Sequence, residues 1–225
     1  MSSAAGRRPV RVGHIQFLNC YPLYYGLEHS APSRVDFELW PGVPTELNRM
    51  LVAGTIDFGP ISSIAYALNH RMLALSRRLS ISSRGAVDSI QLVCRRPIES
   101  LETVALTPQS ATSVVLLKTL LRLRYGREVD YSELRGTPEE ELERCDAVLL
   151  IGDQGLEAMY FPIEGTIRYD LGVVWHDWTG LPMVYAVWAA RVDFLRRRAG
   201  DVTAVETELS QAMDYSRDRS EAMVE

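Results

Sequence analysis

Two short segments carry hydroxyls in a pattern suited to an anion. Gly59-Pro60-Ile61-Ser62-Ser63 and Gln109-Ser110-Ala111-Thr112-Ser113 each follow a short apolar run and open an amphipathic stretch. A helix N-terminus leaves several N–H groups unpaired and carries partial positive charge, so it holds a carboxylate or phosphate without a lysine. Ser62, Ser63, Ser110, Thr112 and Ser113 would add hydroxyl donors to such sites. Ordinary N-capping is the simpler account of either segment alone. Two such starts, expected one per lobe, point instead to a ligand with two anionic ends.

Other candidates are single residues. Asp153 follows the apolar run Ala147 to Ile151 and suits a helix cap, an acceptor for a ligand hydroxyl or a general base. Asn19 lies in a turn after the first apolar run, where asparagine also tolerates a left-handed backbone. His14, on that run, reads as a core histidine before it reads as a catalyst. No Ser/His/Asp order and no glycine-rich phosphate loop is present. Cys20, Cys94 and Cys145 are odd in number and far apart, and His14, His29, His70 and His176 are scattered, so no metal and no disulfide framework is expected. Spacing alone leaves the question of catalysis open.

The elements that must position these residues alternate between strand-like and helical patterns, the mark of an α/β fold. Strands are expected over Val10 to Ile15, Asp36 to Trp40, Ile56 to Phe58 (breaking at Gly59-Pro60), Ser89 to Cys94, Val104 to Leu106, Ala147 to Ile151, Leu171 to Trp175 and Met183 to Ala189. Phe17 to Pro22 reads as a turn. Helices are expected over Pro44 to Ala53, from Ser62-Ser63 to about His70, from the Thr107 to Ser113 turn through Leu123, after Gly152-Asp153, and from Val192 onward. The pattern suits two lobes with a ligand cleft between them. Residues 8–94 with 186–225 would form one lobe and 95–185 the other, with strands crossing near Cys94 and Val184.

Composition narrows the class of partner. The chain has 225 residues, 47% of them hydrophobic, and a net charge of −5. Lys118 is the single lysine, and Arg196-Arg197-Arg198 has acidic neighbours and reads as a solvated helix face. A nucleic-acid or membrane partner is therefore not expected. No apolar segment follows the arginines near the start, so a secretory signal is not expected and the cytoplasm is the expected compartment. Oligomeric state is not legible.

Several ordered segments then carry a resemblance. Val12-Gly13-His14-Ile15-Gln16-Phe17-Leu18-Asn19-Cys20-Tyr21-Pro22-Leu23 resembles the opening motif of the chorismate dehydratases of the futalosine route to menaquinone. Asp57-Phe58-Gly59-Pro60-Ile61-Ser62-Ser63, Gly85-Ala86-Val87-Asp88-Ser89, Ser110-Ala111-Thr112-Ser113 and Leu150-Ile151-Gly152-Asp153 resemble later motifs in order. The longest match runs from Asp170-Leu171-Gly172 through Trp178-Thr179-Gly180-Leu181-Pro182 to Ala186-Val187-Trp188.

The resemblance implies a fold like the type II periplasmic binding proteins without export. It also implies a cofactor-free dehydration of chorismate to 3-[(1-carboxyvinyl)oxy]benzoate. The family's catalytic asparagine falls on Asn19 and its active-site serine on Ser89. Ser62, Ser63, Ser110, Thr112, Ser113, Asp153 and Thr179 are the expected substrate-binding residues. Ala86, Met183, Tyr185 and Arg84 depart from the family's usual residues and would alter the shape of the cleft.

Overall fold

The computed structural model describes residues 8–30 and 35–220. In chain order the elements are β1 (Val10–Ile15), α1 (Tyr21–His29), β2 (Phe37–Gly42), α2 (Pro44–Ala53), β3 (Phe58–Ser62), α3 (Ser63–Asn69), β4 (Leu73–Ser83), β5 (Ile90–Cys94) and β6 (Thr103–Leu106). They continue as α4 (Ala111–Thr119), β7 (Asp130–Glu133), α5 (Pro138–Leu142), β8 (Ala147–Ile151), α6 (Gly152–Tyr160), β9 (Ile167–Asp170), α7 (Leu171–Thr179), β10 (Met183–Arg191) and α8 (Val192–Arg217).

Two five-stranded sheets result, in the orders β2-β1-β3-β10-β4 and β7-β6-β8-β5-β9. In the first, β1 runs parallel to β2 and β3, with Val10 opposite Phe37 and Ile15 opposite Gly42. In the second, β6 is parallel to β7 and β8, while β5 is antiparallel to both β8 and β9. The strands β5 and β8 lie inside their sheet and are buried at every residue, which is why Ala147–Ile151 reads as a continuous rather than alternating apolar run, and Ile90–Cys94 nearly so apart from the buried Gln91. Val93, Val148, Leu150, Ala105, Leu134, Leu142 and Ala158 close one core around them.

The chain divides into two compact units. The first takes the described residues up to Ile61, then Tyr66–Ser80 and those from Val187 on; the second takes Ser62–Ala65 and Ile81–Ala186. The later passage, between Ala186 and Val187, lies one residue from the boundary expected from sequence. The earlier one falls inside β4, at Ser80, and not after Cys94. The physical reason is pairing: Ile90–Cys94 is bonded on both sides to β8 and β9 and so belongs to the second sheet.

Several local expectations are corrected. Leu171 to Trp175, β-branched and aromatic, forms a helix because Asp170 caps it, accepting from Gly172 N at 2.8 Å and Val173 N at 3.1 Å. An N-cap outweighs the modest strand preference of valine and tryptophan. The strand of that region lies just before it, as β9. The strand near Phe58 does not break at Gly59-Pro60 but continues to Ser62. There Gly59 marks close backbone approach: a Cβ would lie 2.8 Å from Gly13 N. Tyr21–His29 is a helix whose first turn accommodates Pro22, where the sequence suggests only a turn. The strands β4 and β7 had no counterpart in the sequence pattern.

Candidate active site

Ser89 immediately precedes β5, only 4% exposed, in the second unit. Its backbone N–H donates to Val87 O at 2.7 Å, closing a tight turn through Asp88, whose φ of 62° is left-handed. The Ser89 hydroxyl points back to the same Val87 oxygen at 3.4 Å. That is long for an O–H···O bond, so the hydroxyl is only weakly held within the protein. Helix α6 approaches it from behind. A Cβ on Gly155 would lie 2.2 Å from Ser89 O, so only glycine allows this contact.

The two hydroxyl-rich helix starts do not divide between the units. Ser62, Ser63, Ser110, Thr112 and Ser113 all belong to the second. Ser63 Oγ and Thr112 Oγ1 are 3.2 Å apart, and Ile64 N donates to Thr112 Oγ1 at 3.4 Å. The expectation of one anion site per lobe is therefore corrected: helix starts separated by 49 residues meet in one unit. Ser110 caps α4, accepting from Ser113 N at 3.1 Å while donating to Ser113 Oγ at 2.8 Å. Thr112 and Ser113 are buried to 3% and 1% exposure and Ser62 to 4%, leaving Ser63 and Ser110 as the half-buried hydroxyls of the group.

Asp153 is exposed in the first turn of α6, whose N-cap position is Ile151. Thr179 closes α7. Its hydroxyl donates to Trp175 O at 2.8 Å and accepts from Leu181 N at 3.1 Å, so both its roles are already engaged locally.

Asn19 is in the first unit, exposed in the 3-10 turn Leu18–Cys20 that joins β1 to α1. His14, one strand position before Ile15, is half-buried and packs on the Tyr24 ring with centroids 3.5 Å apart. Burial lowers the His14 pKa, against a smaller opposing pull from Glu28. Tyr24 fixes this corner by accepting from Ile15 N at 3.2 Å.

The sequence did not single out Asp170. Its carboxylate accepts from Val87 N at 3.1 Å, Asp88 N at 2.7 Å and Gln91 Nε2 at 3.1 Å, in addition to capping α7. The position of aspartate just ahead of a helix signals only the cap. Its reach to the Ser89 turn depends on the β5–β9 register, which sets Gln91 opposite Asp170. Among the described residues, no helix is long and apolar enough to cross a membrane.

Residues 10–225 match the family described as menaquinone biosynthesis. The chorismate dehydratase of Thermus thermophilus is 34% identical over 198 residues, 82% of this chain and 70% of that one. The chorismate dehydratase of Campylobacter jejuni is 30% identical over 178 residues, and the aligned part covers 77% of this chain but 64% of that relative. The periplasmic aliphatic sulphonate binding protein SsuA of Escherichia coli superposes with a TM-score of 0.62 at 17% identity, covering 96% of this chain and 76% of the other. That likeness establishes the fold, an α/β architecture of the periplasmic-binding-protein kind. The sequence matches establish descent: this chain belongs to the menaquinone biosynthesis family, alongside the chorismate dehydratases of those two organisms.

Proposed function

We propose that this chain is a chorismate dehydratase, a carbon–oxygen lyase of the cytoplasm that converts chorismate to 3-[(1-carboxyvinyl)oxy]benzoate and water. The observation that carries the reading is the 34% identity to a chorismate dehydratase over 82% of the chain. Asn19 and Ser89 are assigned to the substrate. A buried serine whose hydroxyl has only a 3.4 Å internal contact supports that assignment, because little is lost when it turns to a ligand. Ser63 and Ser110, half-buried beside Thr112 and Ser113, supply hydroxyls for a substrate carboxylate.

The chemistry asks little of the protein. The C3–H bond breaks, the electron pair forms the new ring double bond, and the C4–O bond breaks to release hydroxide. Hydroxide and the C3 proton leave together as water, and the ring becomes aromatic. The enolpyruvyl carboxylate of the substrate takes the C3 proton and relays it to the departing hydroxide. Asn19 and Ser89 hold the substrate in the reactive pose and donate to the departing oxygen. Preorganised donors where charge develops supply several kcal/mol, and near-attack positioning more. Asp153 and His14 are the rival bases; their participation would appear as an activity profile that follows a carboxylate or imidazole titration.

Chorismate added to the purified chain should yield an aromatic ultraviolet product, with turnover abolished in Asn19→Ala and strongly reduced in Ser89→Ala at unchanged folding. The fold is shared with a sulphonate binding protein, which motivates a second reading, a non-catalytic binding protein or sensor for a small dicarboxylate. Saturable chorismate binding with no aromatic product would establish that reading and overturn the first.

A further inference from the structure

The turn that carries Ser89 has no secondary structure of its own to fix it. Val87 and Asp88 lie outside both sheets, and Asp88 adopts a left-handed backbone, a conformation unfavourable for residues other than glycine. Something must hold it. The two Asp170 oxygens divide the work. Oδ1 accepts from Gly172 N at 2.8 Å and Val173 N at 3.1 Å, the cap of α7, with a longer contact to Val87 N at 3.2 Å. Oδ2 accepts from Asp88 N at 2.7 Å, Val87 N at 3.1 Å and Gln91 Nε2 at 3.1 Å. Gln91, 2% exposed, also donates to Asp88 O at 2.8 Å, so both faces of the Asp88 peptide group are tied to the β5–β9 pair.

We infer that Asp170 is a positioning residue for the dehydration: its Oδ2 holds the Val87–Asp88 backbone and so aims the Ser89 hydroxyl at the substrate. The inference rests on the assignment of Ser89 to the substrate. A role confined to capping α7 would use Oδ1 alone, and the three further donors on Oδ2 are what separate the two accounts.

Asp170→Asn separates them experimentally. Asparagine caps helices about as well as aspartate, so α7 keeps its N-terminus. Its amide nitrogen, however, would meet N–H donors where Oδ2 now accepts. In the full chain, the variant should melt near the wild-type temperature, while amide exchange of Val87 and Asp88 accelerates. The kcat for chorismate should fall by about 100-fold with KM little changed, the size expected when a reacting group is misplaced by about 1 Å. In a Ser89→Ala background the same substitution should cost less than about threefold, because a residue acting through Ser89 has nothing left to position. Equal losses in both backgrounds, or wild-type exchange with wild-type turnover, would overturn the inference.

Full turnover in Ser89→Ala would remove the assignment on which it rests. That outcome is recognisable because the exchange difference in Asp170→Asn would persist without a kinetic counterpart. Should Asp170→Asn fail to fold, Gln91→Met removes one Oδ2 donor at similar volume. It should give a smaller kcat loss that again vanishes in Ser89→Ala; a loss that persists there would overturn the inference.

Discussion

Each unit holds an aspartate that gathers several hydrogen-bond donors, and the two are used in opposite ways. Asp57, in the first unit and 2% exposed, is held by charge. Arg8 donates to it at 2.5 and 2.8 Å, Arg11 at 2.9 and 3.1 Å, and the Arg11 backbone N–H at 3.0 Å. Burial alone would raise the Asp57 pKa, but the hydrogen bonds from Arg8 and Arg11 outweigh it and hold the carboxyl well below the usual carboxylate range. Asp170, in the second unit, accepts only from uncharged donors, four backbone N–H groups and one side-chain amide. The lesson is one of scope. Removing Asp57 leaves two arginines facing each other without a counter-charge, a cost borne by the whole unit. Removing the Asp170 acceptors leaves neutral N–H groups unpaired, a cost confined to a turn and a helix start.

The largest test of this contrast is Asp57→Ala. Breaking one side of a buried ion pair costs roughly 3–5 kcal/mol, and the lower figure applies here because the Arg8 side chain is 49% exposed. Chemical denaturation should show a loss of about 3 kcal/mol. A loss below about 1 kcal/mol would place Asp57 with ordinary surface pairs. The pH dependence has a fixed sign. The folded pKa of Asp57 is lowered, so its contribution is present above the unfolded value near 4 and is lost as pH falls below it. The variant should therefore show a flatter stability curve through that acid range than the wild type.

Next in size is Gly155→Ala, directed at the other unit. The new Cβ would collide with the Ser89 carbonyl at 2.2 Å, which is backbone and cannot swing aside. Overpacking of this kind costs about 1–3 kcal/mol, and α6 must shift away from the Ser89 turn. Thermal denaturation and chorismate turnover measured together should both decline. Unchanged values for both would show that α6 does not buttress Ser89.

Ser110→Ala should cost less, about 1 kcal/mol, the usual value of an N-cap. Its distinguishing feature is the Ser113 hydroxyl, which now accepts from Ser110 Oγ at 2.8 Å and would be released. If Ser110 only caps, calorimetric titration with the carboxyvinyloxybenzoate product should give the wild-type affinity per folded molecule. Weaker product binding at matched salt would add Ser110 to the site itself.

Smallest is the effect of His14, which touches neither aspartate. Burial lowers its pKa, so the unfolded chain binds the extra proton first and stability declines as pH falls below about 6.5. His14→Phe should keep the contact with Tyr24 while removing that part of the pH slope. A slope unchanged between about pH 7 and pH 5 would mean that another group carries it.

Much of this protein was written locally in its sequence. The apolar run Ala147–Ile151 is a strand buried at every residue, and Val10–Ile15 is a strand with Arg11 and His14 at its half-buried positions. Pro44–Ala53 is a helix with its ends where proline and Gly54 stand. The ordered motifs that resemble chorismate dehydratases carried the family, and the matches with relatives agree. Local pattern failed where an interaction outside hydrophobic periodicity overruled it. Leu171 to Trp175 has strand-like residues, yet capping by Asp170 turned them into a helix. Ser63 and Thr112 read as two separate anion sites, yet they lie 3.2 Å apart.

The hold of Asp170 on the Ser89 turn was the least legible feature, since its partners lie 82 and 83 residues away. The physical reason is common to the last two cases. Hydrophobic periodicity and turn chemistry are properties of neighbours in the chain, so the sequence by itself determined most of the elements and the family. Strand register is set between segments far apart, so only the tertiary structure decided which hydroxyls meet and which carboxylate holds the Ser89 turn.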